Sequence, residues 1–320
     1  MASIFSKILY YIMHPRKAVE NIMLKDYLSR GDYKSAAGML YRRAFGRNIN
    51  WDAPEDLNQW INRIEFTTDT TEWSRIADKY RMRDYVTERG YKDHLVKLLA
   101  VWKNPEDISF AGLPDKFVLK ANNGCGDVRI ITDKSAVNLD EIKGYFKGLF
   151  ANRFGINSAE PHYTRIEPVV IAEEMLDRSR QEGESTSLID YKFWCFNGKP
   201  VICFVCSNRT KHYFTTDIYT AKEWKRVDDE YGVHDGHHIL KAEKAMPKPS
   251  ELDKMLEIAS ALSKGHPQMR VDFYQVDGKV YVGEMTMTSA CGRMDYFTKE
   301  CLDMLGDHCR VAFNEIQAGK

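Results

Sequence analysis

The chain has 320 residues, of which 43% are hydrophobic and 29% are charged, a composition typical of globular proteins. Its formal net charge is zero, which gives no reason to expect nucleic-acid binding. The seven cysteines lack the spacing of a disulfide framework and indicate reduced thiols in a cytoplasmic protein, and no apolar run is long enough to predict a membrane span.

The first segment, residues 1–47, is predicted to form helices with an excess of positive charge. Residues 1–50 contain nine Lys or Arg and three Asp or Glu, so they carry +6 and the rest of the chain carries −6. Apolar residues recur at helical spacing near its start, at Ile4, Phe5, Ile8, Leu9 and Ile12. The pattern fits a helix on a membrane surface, but we favour an amphipathic helix that packs on the protein itself.

Residues 52–102 are also predicted to be helical. Asp52 is expected to cap one helix, because Pro54 and two acidic residues follow it in the first turn. A second helix is predicted over residues 72–89, and Gly90 is expected to end it. A helical region is therefore expected ahead of the first strand.

From residue 113 the pattern becomes that of β-strands separated by short turns. Strands are predicted at residues 117–120, 128–132, 169–172, 191–196, 201–206, 270–276 and 280–288, with one helix at 251–262. The dipeptides Asn197-Gly198 and Asp277-Gly278 are typical of tight hairpin turns. Helices followed by antiparallel hairpins predict an α+β protein.

The last predicted hairpin, residues 270–288, has the most informative pattern. A two-residue turn would put Asp272 and Glu284 on opposite faces, whereas a three-residue loop, or one bulge, would pair them. Only the second register separates polar from apolar side chains, with Arg270, Asp272, Glu284 and Thr286 on one face. We therefore predict that Asp272 and Glu284 are neighbours across the hairpin.

Two neighbouring carboxylates repel each other unless a cation lies between them. Oxygen ligands suit Mg²⁺, which proteins often share with nucleotide phosphates. The alternative is an exposed strand face with ordinary charges, and the spacing by itself does not decide between the two.

Residues 117–131 contain a lysine beside a small-residue loop. Lys120 ends a buried strand, and Gly124 and Gly126 follow in a loop whose backbone amides can cover phosphates. An ordinary turn is the alternative. Residues 169–176 end an apolar strand with two glutamates, which fits either an adenine-binding hinge or a solvent-exposed strand end.

The hairpin from residue 190 to residue 209 contains a lysine on a mostly apolar strand. Lys192 needs a partner there, either Asp190 or a phosphate. Arg209, just past the second strand, is either a further anion contact or part of a structural salt bridge.

In this order, the segments resemble the ATP-grasp superfamily, and more closely the TupA-like (teichuronopeptide biosynthesis) ATP-grasp family. The resemblance is carried by ADKYRMRDYV (77–86), LPDKFVLKANNGCGD (113–127), VIAEEML (170–176), DYKFWCFNGKP (190–200), MRVDFY (269–274) and GEMTMTSACG (283–292). It implies an α+β ATP-grasp fold in which two subdomains enclose ATP. The expected divisions are a helical region at 1–70, a small subdomain with the hinge at 71–176 and a large subdomain with the Mg²⁺ site at 177–320.

The resemblance also implies roles for individual residues. ATP would be bound by Lys120, Asn123, Gly124, Gly126, Glu173, Glu174, Met175, Leu176, Asp190 and Lys192, with backbone groups of Glu174 and Leu176 on the adenine. Mg²⁺ would be held by Asp272, Glu284 and Thr286, and Thr286 stands where many ATP-grasp enzymes have Asn. The expected catalytic residues, which neutralise phosphate or bind substrate, are Arg270, Lys192 and Arg209.

The implied reaction joins a carboxylate to an amine through an acyl phosphate, with ATP and Mg²⁺ as cofactors. The expected partners are a carboxyl-bearing surface or capsular glycan, such as a uronic acid, and an amino acid or other amine. The alternatives are a glycosyltransferase or kinase of polysaccharide biosynthesis and a non-catalytic ATP-binding protein. The expected location is the cytoplasm, with the basic N-terminal helix able to contact the inner face of the membrane.

Overall fold

The computed structural model describes residues 13–319, which begin with a run of helices. These are α1 (Pro15–Ser29), α2 (Tyr33–Phe45), α3 (Leu57–Thr67), α4 (Thr71–Ile76) and α5 (Met82–Glu88). Helices α1 and α2 confirm the helical prediction for most of residues 15–47. The apolar pattern from Ile4 to Ile12 lies outside the described residues.

The first sheet has four antiparallel strands in the order β1-β4-β2-β3. Its strands are β1 (Leu98–Trp102), β2 (Phe117–Ala121), β3 (Val128–Ile131) and β4 (Val170–Glu174). Helix α6 (Leu139–Ala151) packs on this sheet, because its Ile142 and Phe146 share a core with Phe117 and Leu119. The short helix α7 (Pro161–Thr164) precedes β4.

The second sheet has six strands in the order β10-β9-β5-β6-β7-β8, and its strand pairs are antiparallel except β7 with β8. Its strands are β5 (Asp190–Phe196), β6 (Lys199–Ser207), β7 (Phe214–Thr220), β8 (Ile239–Lys241), β9 (Met269–Val276) and β10 (Lys279–Thr286). The accompanying helices are α8 (Asp228–Tyr231), α9 (Leu252–Ser263) and α10 (Lys299–Ala318). Two sheets with flanking helices confirm the predicted α+β class.

The largest core joins the six-stranded sheet to helices from both ends of the chain. Helix α3 packs on α10, where the ring centroids of Trp60 and Phe313 are 5.4 Å apart. Trp73 of α4 and Tyr85 of α5 are buried in the same core. Helices on both sides of the expected boundary at residue 70 therefore share one core, and the division of the chain stays a prediction.

Three local predictions in the helical region are wrong. Residues 98–102 form strand β1 because their apolar run pairs with β4. Helix α3 is capped by Asp56, whose carboxylate accepts a hydrogen bond from the N–H of Gln59 at 2.9 Å, and not by Asp52. The helix predicted over 72–89 is broken, since the Asp78 carboxylate accepts hydrogen bonds from the N–H groups of Tyr80 and Arg81.

Both predicted hairpin turns are present. Asn197 and Gly198 join β5 to β6 with positive φ angles of 46° and 84°, as a two-residue turn requires. In the β9–β10 hairpin, Lys279 pairs with Val276, so the loop has two residues and, of the two predicted alternatives, the three-residue loop is not used. The register instead shifts at Gly283, between Val282 and Glu284, and this bulge pairs Asp272 with Glu284 as predicted.

Candidate functional site

The centre of the candidate site is Asp272, a buried carboxylate in the middle of the six-stranded sheet. Strand register places Lys192 of β5 beside Asp272 of β9, and Lys192 Nζ donates to Asp272 Oδ2 at 2.5 Å. Arg270 Nε donates to the other oxygen, Oδ1, at 2.7 Å. Burial would raise the pKa of Asp272, but the charges of Arg270 and Lys192 outweigh it and hold that pKa below its ordinary value.

Glu284 of β10 lies beside Asp272 and is held by a cation from the helical region. Lys79 Nζ, from the break between α4 and α5, donates to Glu284 Oε1 at 2.9 Å, and Arg270 is 3.6 Å from Oε2. Burial opposes ionisation, yet Lys79 and Arg270 together hold the pKa of Glu284 below its ordinary value. Two neighbouring carboxylates thus stay charged because cations surround them, and the exposed-face alternative does not apply.

Asp190, at the start of β5, and Arg209, just past the end of β6, extend this cluster. Lys192 Nζ is 2.6 Å from Asp190 Oδ2, and the Arg209 guanidinium is 3.6 Å from the same oxygen. Burial raises the pKa of Asp190 although the charge of Lys192 opposes that effect. Lys192 therefore contacts Asp190, one of its two expected partners, as well as Asp272, and the phosphate contact stays a prediction.

Thr286 completes the polar face of the hairpin, two residues beyond Glu284 and opposite Arg270. Its hydroxyl is buried and has no hydrogen-bond partner in the structure. Burying an unpaired hydroxyl is costly, which is a reason to expect a ligand there. Among residues 13–319 no group of three or more His, Cys, Asp or Glu side chains forms a metal site. A cation at Asp272 and Glu284 would therefore need other oxygen ligands.

The four-stranded sheet contributes a second, smaller charged group. Lys120 Nζ of β2 donates to Glu173 Oε2 of β4 at 2.7 Å, and Arg83 of α5 donates to Glu173 Oε1 at 3.1 Å. One buried carboxylate thus lies between two cations. The expected hinge residue Glu174 is exposed, and its N–H donates to the carbonyl of Lys97 at 2.9 Å.

The small-residue loop 121–127 is anchored at Asn122. The Asn122 side chain donates to Asp78 Oδ1 at 2.9 Å and to the carbonyl of Glu167 at 3.0 Å, and it accepts from the N–H of Val169. Beyond this anchor, Lys79 Nζ donates to the carbonyl of Gly124 at 2.5 Å. The loop is therefore connected through one lysine to Glu284 on the other sheet.

Gly124 and Gly126 fit the loop for different reasons. A Cβ on Gly124 would lie 2.0 Å from the Asp127 carboxylate, so the backbone there is tightly enclosed. Gly126 has a φ of 76°, a conformation that side chains disfavour. Asn123 lies between the anchor and Gly124 and is half-buried. Met175 and Leu176, just after β4, are also half-buried.

Sequence reasoning missed two cations, Lys79 and Arg83. The helical periodicity of residues 72–89 concealed the break at Asp78 that directs Lys79 toward the sheet. Residues 78–80 belong to a segment that carries the family resemblance, but the resemblance implies no role for Lys79. An aspartate able to bond its own backbone two residues on is the signal that predicts such a break.

Comparison with known proteins identifies a family. The family model described as TupA-like ATPgrasp matches residues 57–310. No curated protein matches the chain. In solved structures the chain resembles D-alanine–D-alanine ligase from Bacillus anthracis at 18% identity and a TM-score of 0.41, over 82% of this chain and 72% of that chain.

Two further solved structures resemble the chain with similar sequence identities and TM-scores. D-Alanine-D-alanine ligase from Helicobacter pylori has 14% identity and a TM-score of 0.39, over 75% of this chain and 60% of that chain. The ATP-grasp ligase PsnB, in complex with a precursor variant, Mg and ADP, has 12% identity and a TM-score of 0.40, over 81% of this chain and 65% of that chain. These likenesses are too weak to argue from, whereas the family model covers most of the chain. The protein belongs to the TupA-like ATP-grasp family and is thereby an ATP-dependent ligase of the kind that forms carbon–nitrogen bonds.

Proposed function

We propose that the protein joins an amine, such as an amino acid, to a carboxyl group of a uronic-acid surface or capsular polysaccharide, or of its precursor. The reaction would use ATP and proceed through an acyl phosphate. The observation that carries this proposal is the buried charged group around Asp272, in which two ionised carboxylates are held beside Lys192, Arg270 and Lys79. Family membership connects this group to ATP.

The phosphates of ATP are proposed to be bound by lysines from both sheets. Lys120 and Lys192 each contact a carboxylate now, and a phosphate could replace Glu173 or Asp190 as the partner of either lysine. Asn123, Gly124 and Gly126 would supply backbone amides over the phosphates. The adenine would bind at Glu173, Glu174, Met175 and Leu176. The Glu174 N–H already donates to the carbonyl of Lys97. We therefore propose that Glu174 contacts the adenine through its own carbonyl.

Asp272, Glu284 and Thr286 offer only oxygen atoms, which fits Mg²⁺, and the unpartnered Thr286 hydroxyl supports a ligand at this face. Both oxygens of Asp272 are engaged by Arg270 and Lys192, so these side chains would have to shift toward phosphate oxygens when the site is filled. When bound, Mg²⁺ would offset part of the negative charge of the ATP phosphates.

In the proposed reaction an oxygen of the substrate carboxylate attacks the γ-phosphorus of ATP, the bond to the bridging oxygen breaks, and ADP leaves. The amine nitrogen then attacks the acyl carbon of the acyl phosphate, and inorganic phosphate leaves with release of the amine proton. Arg270 and Lys192 would stabilise the charge on the transferred phosphate, and Arg209 would bind phosphate or the substrate carboxylate. Arg270 and Lys192 already lie beside the carboxylates proposed to hold Mg²⁺, so only a short shift would bring them to the phosphate.

The glycan as acyl donor, and the amino acid as amine, follow from the family resemblance alone. The cytoplasm is proposed as the location, at the inner face of the membrane. Among residues 13–319 no helix has the length and apolar character needed to cross a bilayer. The form of membrane association that we propose is a peripheral contact through the basic N-terminal helix.

The proposal can be tested by measuring phosphate release from ATP with a panel of amino acids and uronic-acid acceptors. Phosphate release that needs both a carboxylate and an amine is the expected result. With hydroxylamine in place of the amine, an acyl phosphate is converted to a hydroxamate, which a kinase acting on hydroxyl groups would not produce. Thermal stabilisation by a UDP-sugar but not by ATP with Mg²⁺ would contradict the ligase and favour a glycosyltransferase.

A further inference from the structure

Helix α1 exposes an unusual amount of apolar surface. Within residues 13–319, four of the nine exposed large hydrophobic side chains lie between residues 13 and 23, and they are Met13, Val19, Ile22 and Met23. Ile22 is 68% exposed and Val19 is 55% exposed, and no residue of α1 is buried. Val19, Ile22 and Met23 have the spacing i, i+3, i+4, so they form one continuous stripe, which we call the α1 stripe.

The opposite face of α1 is already occupied. Leu24, Tyr27 and Leu28 pack beside Tyr33 and Leu40 of α2, in a small cluster around buried alanines. This packing fixes which face of α1 points away from the protein. The α1 stripe is therefore held outward by the fold.

Basic residues flank the α1 stripe on both sides. Arg16 lies one turn before Val19, Lys25 lies one turn after Ile22, and both are exposed. The acidic residues of α1 are already paired, Asp26 with Arg30 at 2.5 Å and Glu20 with Arg43 at 3.5 Å. Arg16 and Lys25 are thus placed beside the α1 stripe where they can face an anionic surface.

We propose that α1 docks on an anionic lipid surface, with the α1 stripe in the interface and Arg16 and Lys25 at the headgroups. An exposed apolar stripe between cations is the arrangement of helices that lie in the plane of a bilayer surface. The charge complementarity favours this occupant over a second copy, because two copies would bring like charges together. This inference rests on the peripheral membrane contact proposed above, but it concerns a different part of the molecule from the ligase site and does not depend on that site.

The experiment is co-sedimentation of the full chain with vesicles, either of pure phosphatidylcholine or enriched in phosphatidylglycerol. The native chain is expected to bind the anionic vesicles and to be released as salt rises toward about 1 M, where the Debye length is roughly 3 Å. Replacing Ile22 and Met23 by Ser should abolish binding. The double change Arg16→Gln and Lys25→Gln should weaken it by roughly fivefold or more for each charge removed.

Matched controls separate docking from general effects of the substitutions. Val311→Ser removes another exposed hydrophobic side chain, on α10, and Lys248→Gln removes an exposed lysine far along the chain; neither should change binding. ATP-dependent phosphate release in solution should be equal in all of these variants. Absence of native binding to anionic vesicles, or binding that the Ile22 and Met23 changes leave intact, would overturn the proposal. So would a dimer in light scattering that these changes dissociate.

Discussion

Two carboxylates in this protein are equally buried, and yet the pKa of one is lowered and the pKa of the other is raised. The side chains of Asp272 and Glu65 are each 3% exposed. The pKa of Asp272 is held below its ordinary value, because Arg270 and Lys192 outweigh its burial. Burial raises the pKa of Glu65 to about 8, and its direct partner is His162, 2.9 Å away.

The difference lies in the partner and not in the depth of burial. Burial lowers the pKa of His162 to about 4, so near pH 7 this ring carries no positive charge that could offset a charge on Glu65. Asp272 instead has a guanidinium and an ammonium within hydrogen-bond distance. We conclude that the Glu65–His162 pair is a neutral contact between α3 and α7, whereas the Asp272 group is kept ionic and is suited to bind ions.

The largest effect is expected from Asp272→Asn, which removes the charge that Arg270 and Lys192 share. Two buried cations lose a counter-ion, so stability should fall by about 3 kcal/mol in urea unfolding. ATP-dependent phosphate release should fall by more than about a hundredfold, since even residues that only support a metal ligand commonly contribute tenfold or more. Asp277→Asn, at the exposed turn of the same hairpin, is the control and should leave both quantities unchanged. If the two variants had equal stability and equal phosphate release, the charge of Asp272 would have no special role and its contrast with Glu65 would not hold.

Lys120→Met is expected to have the next largest effect. It removes one of the two cations at Glu173 and one proposed phosphate contact. A hydrogen bond to a charged group contributes about 1.5–3 kcal/mol, so the Kd for ATP should rise by roughly 10- to 100-fold. Calorimetric titration with ATP measures this, with the exposed Lys116→Met as the matched control. A Kd that Lys120→Met does not change would remove Lys120 from the nucleotide site.

Lys79→Met tests whether the loop 121–127 is held by a cation at Glu284. The change removes the contacts to Glu284 and to the Gly124 carbonyl. Amide exchange in the loop should become faster, and ATP should bind roughly tenfold more weakly, in line with loss of one charge-assisted hydrogen bond. Lys79→Arg should restore part of both. Unchanged exchange in the loop would show that Asn122 alone anchors it.

The smallest effect is a pH dependence of stability that comes from Glu65. Its pKa is about 8 in the folded protein, above the ordinary value of 4.5. The folded state therefore binds the proton more tightly, so this stabilisation is complete below about pH 4.5 and is lost as pH rises through about 8. His162 acts in the opposite direction, but only between about pH 4 and its ordinary pKa of 6.5.

Between about pH 7 and pH 8 only Glu65 of this pair contributes, and the free energy of unfolding should fall by about 1 kcal/mol. Urea unfolding at the two pH values measures this. Glu65→Gln cannot lose a proton and should remove that part of the decline. If native protein and Glu65→Gln decline equally, Glu65 is ionised in the folded state and the comparison with Asp272 fails.

Much of the fold could be predicted from local patterns. Alternation of polar and apolar residues along 270–288 was enough to pair Asp272 with Glu284, because only one register keeps the two faces distinct. The pattern left two ways to produce this register, a longer loop or a bulge, and the structure uses the bulge at Gly283. The alternation over residues 270–288 determines which residues pair, but it does not determine where the bulged residue lies.

The contacts that were not predicted come from residues far apart in the chain. Lys79 meets Glu284 across 205 positions, and Glu65 meets His162 across 97. No periodicity links such residues, because tertiary packing alone brings them together. The roles of Asp272, Glu284 and the proposed ATP-binding residues stay predictions. The structure supports them by placing Asp272, Glu284 and Lys192 in one charged group, whereas Lys120 lies in a second group with Glu173.

The most direct test of the central claim is calorimetric titration of ATP into the native chain and Glu284→Gln, each with and without Mg²⁺. We expect Mg²⁺ to tighten ATP binding by the native chain, because Asp272 and Glu284 would hold it between protein and phosphate. In Glu284→Gln this tightening should be lost, while Asp277→Asn should keep it. If Glu284→Gln binds ATP with the same dependence on Mg²⁺ as the native chain, the paired carboxylates are not the metal site.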